Sequence, residues 1–112
     1  MDHELGSLLD LDGFRYHAAD GHQIRIAVRK VEASAGRPHG VKYSLTLHDP
    51  SGRRIYGMDN AHRAGKRPAF DHRHIYGRRK IVAYEYRGPS QLLEDFYREV
   101  GRVLMERGIS WP

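Results

Sequence analysis

Two stretches of the chain alternate apolar and polar residues with a period of two, the spacing of a strand covered on one face only. From His22 to Val31, Ile24, Ile26 and Val28 fall on one face and Gln23, Arg25 and Arg29 on the other. From Val41 to His48, Val41, Tyr43, Leu45 and Leu47 share one face, and Lys42, Ser44, Thr46 and His48 the other. A briefer alternation, Phe14-Arg15-Tyr16-His17, runs into the turn signal Asp20-Gly21. Phe14–Ala18 and His22–Ser34 therefore read as a hairpin. The segment 35–40 is a loop by its Gly and Pro content. Asp49-Pro50-Ser51-Gly52 is a turn, after which Arg53–Met58 returns as a partner strand.

Residues 59–80 are irregular and polar, too long for a tight hairpin loop, and such loops often carry function. Ile81–Tyr86 reads as a last strand. The period then changes. Leu92, Leu93, Phe96, Val100, Val103 and Leu104 make an apolar stripe at helical spacing, the packing face of a helix over 89–107. Ser90 is a candidate N-cap and Gly108 a C-terminal stop. Strands and helix are segregated along the chain, which predicts an α+β fold: a mostly antiparallel sheet of about five strands with one long C-terminal helix on one face. The whole of 1–112 is expected to be one domain, with 1–12 an acidic tail or edge element, 13–86 the sheet region and 59–80 its functional loop.

Charge sharpens this picture. The formal net charge of the 112 residues is +5, unevenly spread. Asp2, Glu4, Asp10 and Asp12 open the chain without a Lys or Arg among them. Between Arg53 and Lys80, Arg54, Arg63, Lys66, Arg67, Arg73, Arg78 and Arg79 face only Asp59 and Asp71. That excess favours a phosphate-bearing or acidic partner. Cysteine is absent, which excludes disulfides and thiolate metal sites and fits a reducing cytoplasm. No apolar run approaches the roughly 20 residues of a membrane span, and the acidic start is unlike a secretory signal.

Three clusters carry candidate chemistry: Pro38-His39-Gly40-Val41-Lys42-Tyr43, Asp59-Asn60-Ala61-His62, and Asp71-His72-Arg73-His74. Imidazoles exchange protons near neutral pH. RNA cleavage without metal needs a base for the 2′-hydroxyl, an acid for the leaving oxygen and cations for the phosphorane charge. His62, His72 and His74 are candidates for the first two roles, Lys42 and Arg73 for the third, and Asp59 and Asp71 for orienting an imidazole. Lys66, Arg67, Arg73, Arg78, Arg79 and Lys80 are the expected nucleic-acid contacts. No cofactor is expected. If a metal binds, Asp59, His62, His72 and His74 are its candidate ligands, although their spacing defines no known metal motif and the cations nearby oppose it. His3, His17 and His22 read as surface residues. No GxGxxG, P-loop or GxSxG occurs, so nucleotide-dependent and serine-hydrolase chemistry lack their cradle or elbow.

In this order the clusters resemble the TumE family of toxin–antitoxin proteins. The matching stretches are residues 38–45, Gly52-Arg53-Arg54-Ile55 leading into Asp59-Asn60-Ala61-His62, then Asp71-His72-Arg73-His74, and Leu92-Leu93-Glu94-Asp95-Phe96 with Val100. The resemblance implies a small basic toxin acting on RNA or translation, paired with a cognate antitoxin; it assigns no role to individual residues. A metal-independent ribonuclease is the leading expectation. A non-enzymatic binder of nucleic acid or protein, and a metal-dependent nuclease, are the alternatives. An antitoxin is expected to cover the basic face. The chain's own acidic start, with Leu8, Leu9 and Leu11, is a competing cover if it is mobile.

Overall fold

The alternating stretches form strands, and the strands pair in the order in which they occur. A short helix, α1 (His3–Leu9), precedes β1 (Arg15–His17), β2 (Gln23–Lys30), β3 (Val41–His48), β4 (Arg54–Asp59), β5 (His72–Ile75) and β6 (Lys80–Ala83), and α2 (Pro89–Glu106) follows. The computed structural model describes residues 3–34, 40–60, 72–75 and 80–110, with 3, 72, 74, 75 and 80–82 described as backbone only. The fold is α+β, with every pairing antiparallel. β1 to β4 form the continuous part of the sheet, and two four-residue strands, β5 and β6, extend it to the order β1-β2-β3-β4-β5-β6. The strand count thus differs from the expected five. The added strand, β5, lies inside the stretch read as an irregular loop. The last strand is Lys80–Ala83 rather than Ile81–Tyr86. Tyr84 and Tyr86 leave the ladder and pack on the core instead.

The two tight turns between strands have local causes. Asp20 and Gly21 both adopt positive φ, 48° and 78°, as the two central residues of a type I′ hairpin turn require. In the next turn Asp49 Oδ1 accepts hydrogen bonds from the backbone N–H of Ser51 and Arg53 and from the Ser51 hydroxyl. The Ser51 hydroxyl above all holds its carboxyl down at about 2. α2 stops where expected. Gly108, at φ 77°, donates to Met105 O, and Ile109 donates to Leu104 O, the paired bonds of a Schellman motif. Its start differs: the N-cap is Gly88, with Pro89 next, and no side chain caps the helix from within.

One face of the sheet is buried by the helices. Ile24, Ile26, Val28, Val41, Tyr43, Leu45, Leu47, Tyr56 and Met58 share a core with Leu92, Phe96, Val100, Val103 and Leu104 of α2. The Tyr56 and Phe96 rings lie 6.2 Å apart, and Tyr16 and Tyr97 join through their hydroxyls. The apolar stripe of α2 is therefore a packing face, as read. Two expectations are corrected here. His22 is not a surface residue: it is buried, its Nδ1 donates to Ala19 O at 2.9 Å, and its Nε2 accepts from Arg107 Nε at 3.0 Å. The acidic start is not a mobile tail. Leu8 is fully buried in the core, and Glu4 Oε1 accepts the Ser90 N–H at 3.3 Å, placing a carboxylate at the positive end of α2. Folding back over the open face is closed to a segment whose leucine is already in the core. Leu8→Ala is expected to destabilise the fold by about 2–5 kcal/mol, read as a drop in urea midpoint; a midpoint like that of the unaltered chain would show that α1 is dispensable.

Candidate nucleic-acid interface

Burying one sheet face leaves the alternate residues on the other. β3 presents Lys42, Ser44, Thr46 and His48 there, β2 continues with Gln23, Arg25, Ala27 and Arg29, and β1 adds Arg15 and His17. Register then sets like charges side by side: Arg15 pairs with Arg25, and Arg29 with Lys42. Directly opposed residues of an antiparallel pair have Cβ atoms about 4.5–5.5 Å apart, and like charges there are destabilising. Arg25 is held by donating from Nε to Gln23 Oε1 at 2.8 Å.

Arg54 reaches this face through an irregularity. Leu47 pairs with Tyr56, but the next residue, His48, pairs with Arg54. A bulge of this kind re-aims the side chain beyond it. Ile55 and Tyr56 are both buried, and Arg54 emerges on the open side. Gly57 is close-packed against Thr46 rather than against Arg54. A Cβ at that position would lie 3.3 Å from Thr46 Cγ2 and 3.9 Å from Arg54 Cδ.

Two grooves lie next to each other here. One, of about 380 Å³, is bordered by Asp12, Arg29, Lys42, Arg54 and Asp59. The other, of about 310 Å³, is bordered by Phe14, Arg15, Arg25, Thr46, His48 and Arg54. Ala27, Ser44 and Arg54 belong to both. Asp12 also ties the first groove to the sheet, its Oδ1 accepting the Val28 N–H at 2.8 Å.

The structure brings together Lys42 and Asp59 of the expected site, in the first groove. Between the chemistry-bearing residues of Asp59-Asn60-Ala61-His62, Asn60 has a different task. It is buried, its Oδ1 accepts the Tyr43 N–H at 3.0 Å and its Nδ2 donates to Val41 O at 2.6 Å. The side chain extends the ladder to β3 one step past the end of β4 and so fixes where Asp59 sits. In backbone register His72 is opposite Asp59, and His74 opposite Gly57. Arg73 goes elsewhere than expected: it pairs with Met58, and its Nη1 donates to Glu99 Oε1 of α2 at 3.1 Å, on the helix-covered side. His62, Lys66, Arg67, Asp71, Arg78 and Arg79 lie outside the described residues, as do the side chains of His72, His74 and Lys80. Of the candidate metal ligands only Asp59 is described with its side chain, and among the described residues no three His, Asp or Glu gather to hold a metal ion. Sequence reasoning centred the site on 39–80, so it counted Arg54 in the basic run but gave no role to Arg15, Arg25 and Arg29. The signal for most of them was the alternation itself, which had already put Arg25 and Arg29 on the polar face.

His48 is the buried titratable group of this face. Its Nδ1 donates to Gly52 O at 3.2 Å and its Nε2 meets Thr46 Oγ1 at 2.9 Å. Burial lowers its pKa from the ordinary imidazole value. The Gly52 carbonyl and Asp49 oppose that shift, and the guanidinium groups of Arg25 and Arg54 reinforce it.

A family model described as Toxin TumE matches residues 11–104, from just after α1 to the last turns of α2. The chain belongs to the TumE toxin family. Membership makes it a toxin component of a toxin–antitoxin system and implies a cognate antitoxin. Comparison with curated proteins and with solved structures gave no match. Among the described residues no helix is long and apolar enough to cross a membrane.

Two outcomes follow for this TumE-family site. Asn60→Ala strips partners from the Tyr43 N–H and the Val41 carbonyl, at about 1–3 kcal/mol for each buried group left unpaired; an unchanged thermal midpoint would remove its fastening role. For His48 the fold favours the neutral ring. Its contribution is full above the ordinary value of about 6.5 and is lost as pH falls below it. Between about pH 8 and about pH 5 the urea midpoint should fall more steeply in the unaltered chain than in His48→Gln, which has no proton to take up there; parallel curves would exclude the linkage.

Proposed function

We propose that this toxin acts on RNA in the cytoplasm through the open face of the sheet, and that it cleaves its substrate without a metal ion. The observation that carries the reading is the pair of like-charge cross-strand contacts, Arg15 with Arg25 and Arg29 with Lys42. A phosphate backbone laid along the face relieves that repulsion and releases its counterions, so binding gains what folding concedes. Arg54 adds a further cation between the two grooves.

In this reading the histidines of the two Asp/His clusters exchange the protons. One imidazole among His62, His72 and His74 removes the 2′-hydroxyl proton, and the 2′-oxygen attacks the adjacent phosphorus. The bond from phosphorus to the 5′-oxygen breaks, and a second imidazole, protonated, gives its proton to that leaving oxygen. The products are a 2′,3′-cyclic phosphate and a free 5′-hydroxyl. Lys42, with Arg29 and Arg54 at the same groove, stabilises the phosphorane charge, a role that Arg73 cannot share while it is bound to Glu99. Asp59 is opposite His72 in register, a position suited to orienting an imidazole; Asp71 has the same role in its own cluster. Lys66, Arg67, Arg78, Arg79 and Lys80 add further phosphate contacts.

Purified protein is expected to degrade RNA in EDTA, leaving cyclic phosphate ends. Lys42→Ala and at least two of the single variants His62→Ala, His72→Ala and His74→Ala should lose most of that activity while keeping the unaltered circular dichroism spectrum. Full activity in all three histidine variants removes the mechanism. RNA binding that weakens steeply with salt but gives no turnover assigns the face to binding alone.

A further inference from the structure

One edge of the sheet, β1, is described with all its side chains. The bonds of the β1–β2 pair fix which way its backbone points. Ile26 N donates to Phe14 O at 2.9 Å and Ala18 N to His22 O at 2.9 Å. Tyr16, between them, is opposite Ile24. Bonded and non-bonded pairs alternate along an antiparallel ladder. Phe14, Tyr16 and Ala18 therefore turn their peptide groups towards β2, and Arg15 and His17 turn theirs outwards. No described residue bonds to those outward N–H and C=O groups. Bare edges are ordinarily guarded by shortness and charge, and β1 has both. Guarding does not account for Phe14. It lies opposite Ile26, on the helix-covered side with Tyr16, and its ring is about half exposed. We propose that the outer edge of β1 is where the cognate antitoxin docks, by laying an extended segment of alternating acidic and apolar residues beside it as a further strand.

The alternation follows from the register. A strand added antiparallel to β1 exchanges backbone bonds with Arg15 and His17, and its residues opposite those two lie on the open side. There a carboxylate meets Arg15, which has no ion pair among the described residues and stands opposite Arg25 across β2. Opposite charges across a ladder attract where like charges repel. The residues opposite Phe14 and Tyr16 lie on the helix-covered side, and apolar side chains there cover the exposed part of the Phe14 ring. Read from the residue opposite His17, the segment is acidic, apolar, acidic, apolar. A second copy of this chain fits the edge less well. Its own β1, Arg-Tyr-His, supplies no carboxylate and would bring a second Arg15 and Arg25 to the same open face. Nucleic acid has no peptide ladder to offer. The acidic side chain opposite Arg15 also stands at the end of the second groove, which Arg15 and Arg25 border. One strand thus holds the antitoxin and brings negative charge to the basic face, whatever that face does to RNA.

The test is amide hydrogen exchange, read residue by residue by NMR on the free toxin and on the toxin co-purified with its cognate antitoxin. The Arg15 and His17 amides should exchange fast in the free chain and about a hundred-fold more slowly in the complex. Arg15→Glu should weaken antitoxin binding about ten-fold, because it turns a cross-strand attraction into a repulsion, and Phe14→Ser should weaken it about five-fold. Both residues lie outside the core, so circular dichroism of the variants should match that of the unaltered chain. The exchange measurement itself needs no variant. Arg15 and His17 amides that exchange equally fast free and in the complex overturn the proposal. Protection in the complex with an antitoxin affinity indifferent to Arg15→Glu overturns the acidic pattern. Protection already present in the free toxin, at the mass of a dimer, assigns the edge to a second copy and overturns the antitoxin as its occupant. None of these outcomes touches RNA cleavage by the free toxin, so the two readings fail separately.

Discussion

Leu92, Phe96, Val100 and Leu104 of α2 share one core with Ile26, Tyr43, Leu45 and Met58, and among the described residues this cover lies on one side of the sheet. Strand geometry does the rest. Side chains alternate strictly, so a strand that buries Tyr43 and Leu45 must present Lys42, Ser44 and Thr46 to the other side. A slip of one residue in β3 would bury Lys42 and expose Tyr43, so the apolar pattern that stabilises the core also fixes the position of the basic face. Fold and surface chemistry are thus specified by the same residues.

The two sides of the molecule treat charge differently. On the helix side cations have carboxylates: Arg73 and Arg102 meet Glu99, Arg98 meets Asp95, and Arg102 also meets Glu106. Tyr84 donates to Asp95 at 2.6 Å, and burial raises the pKa of that phenol strongly. Tyr56 is also held protonated, pushed to about 12 first by burial and next by Glu99. On the open side Arg15 is opposite Arg25 and Arg29 opposite Lys42, with Asp12 and Asp59 at the border of the first groove. Exposed ion pairs contribute little to stability, so the helix-side pairs are weak evidence for anything but neutral packing. The like-charge pairs are more informative, because Arg15 opposite Arg25 and Arg29 opposite Lys42 cost the sheet stability rather than adding to it.

Much of this was legible in the chain. Period-two patterns gave β2 and β3 with their faces, the Asp20-Gly21 and Asp49–Gly52 turns gave the hairpins, and the 92–104 stripe with Gly108 gave α2 and its end. What escaped had causes that no local pattern carries. α1 has too few residues to show a helical period, and its value lies in long-range contacts, Leu8 in the core and Glu4 at Ser90. His22 looks polar and local, yet Arg107, at the far end of the chain, completes its bonding. β5 was hidden because His72-Arg73-His74 is polar throughout, and an edge extension of a sheet needs no apolar run. The bulge that turns Arg54 outward depends on the pairing of β4 with β3, which the residues of β4 alone do not announce. The cations of the open face were less legible for a related reason: counting charge along the chain favours dense runs such as 63–80, whereas a sheet gathers its cations from separate strands.

The same accounting bears on how a partner can silence this protein. The four acidic residues that open the chain are the obvious internal counter-charge to the basic face, but the fold commits that segment. Leu8 anchors α1 in the core, Glu4 sits at the start of α2, and Asp12 is held by the Val28 N–H at the border of the first groove. Among the described residues bordering the two grooves, Arg15, Arg25, Arg29, Lys42 and Arg54 outnumber Asp12 and Asp59. A molecule that blocks this face has to bring its own negative charge. Electrostatic complementarity of that kind sets the rate and the choice of partner more than it sets the final affinity. An antitoxin working this way is thus selected by the charge of the open face, which α1, committed to the core through Leu8, is not placed to cover.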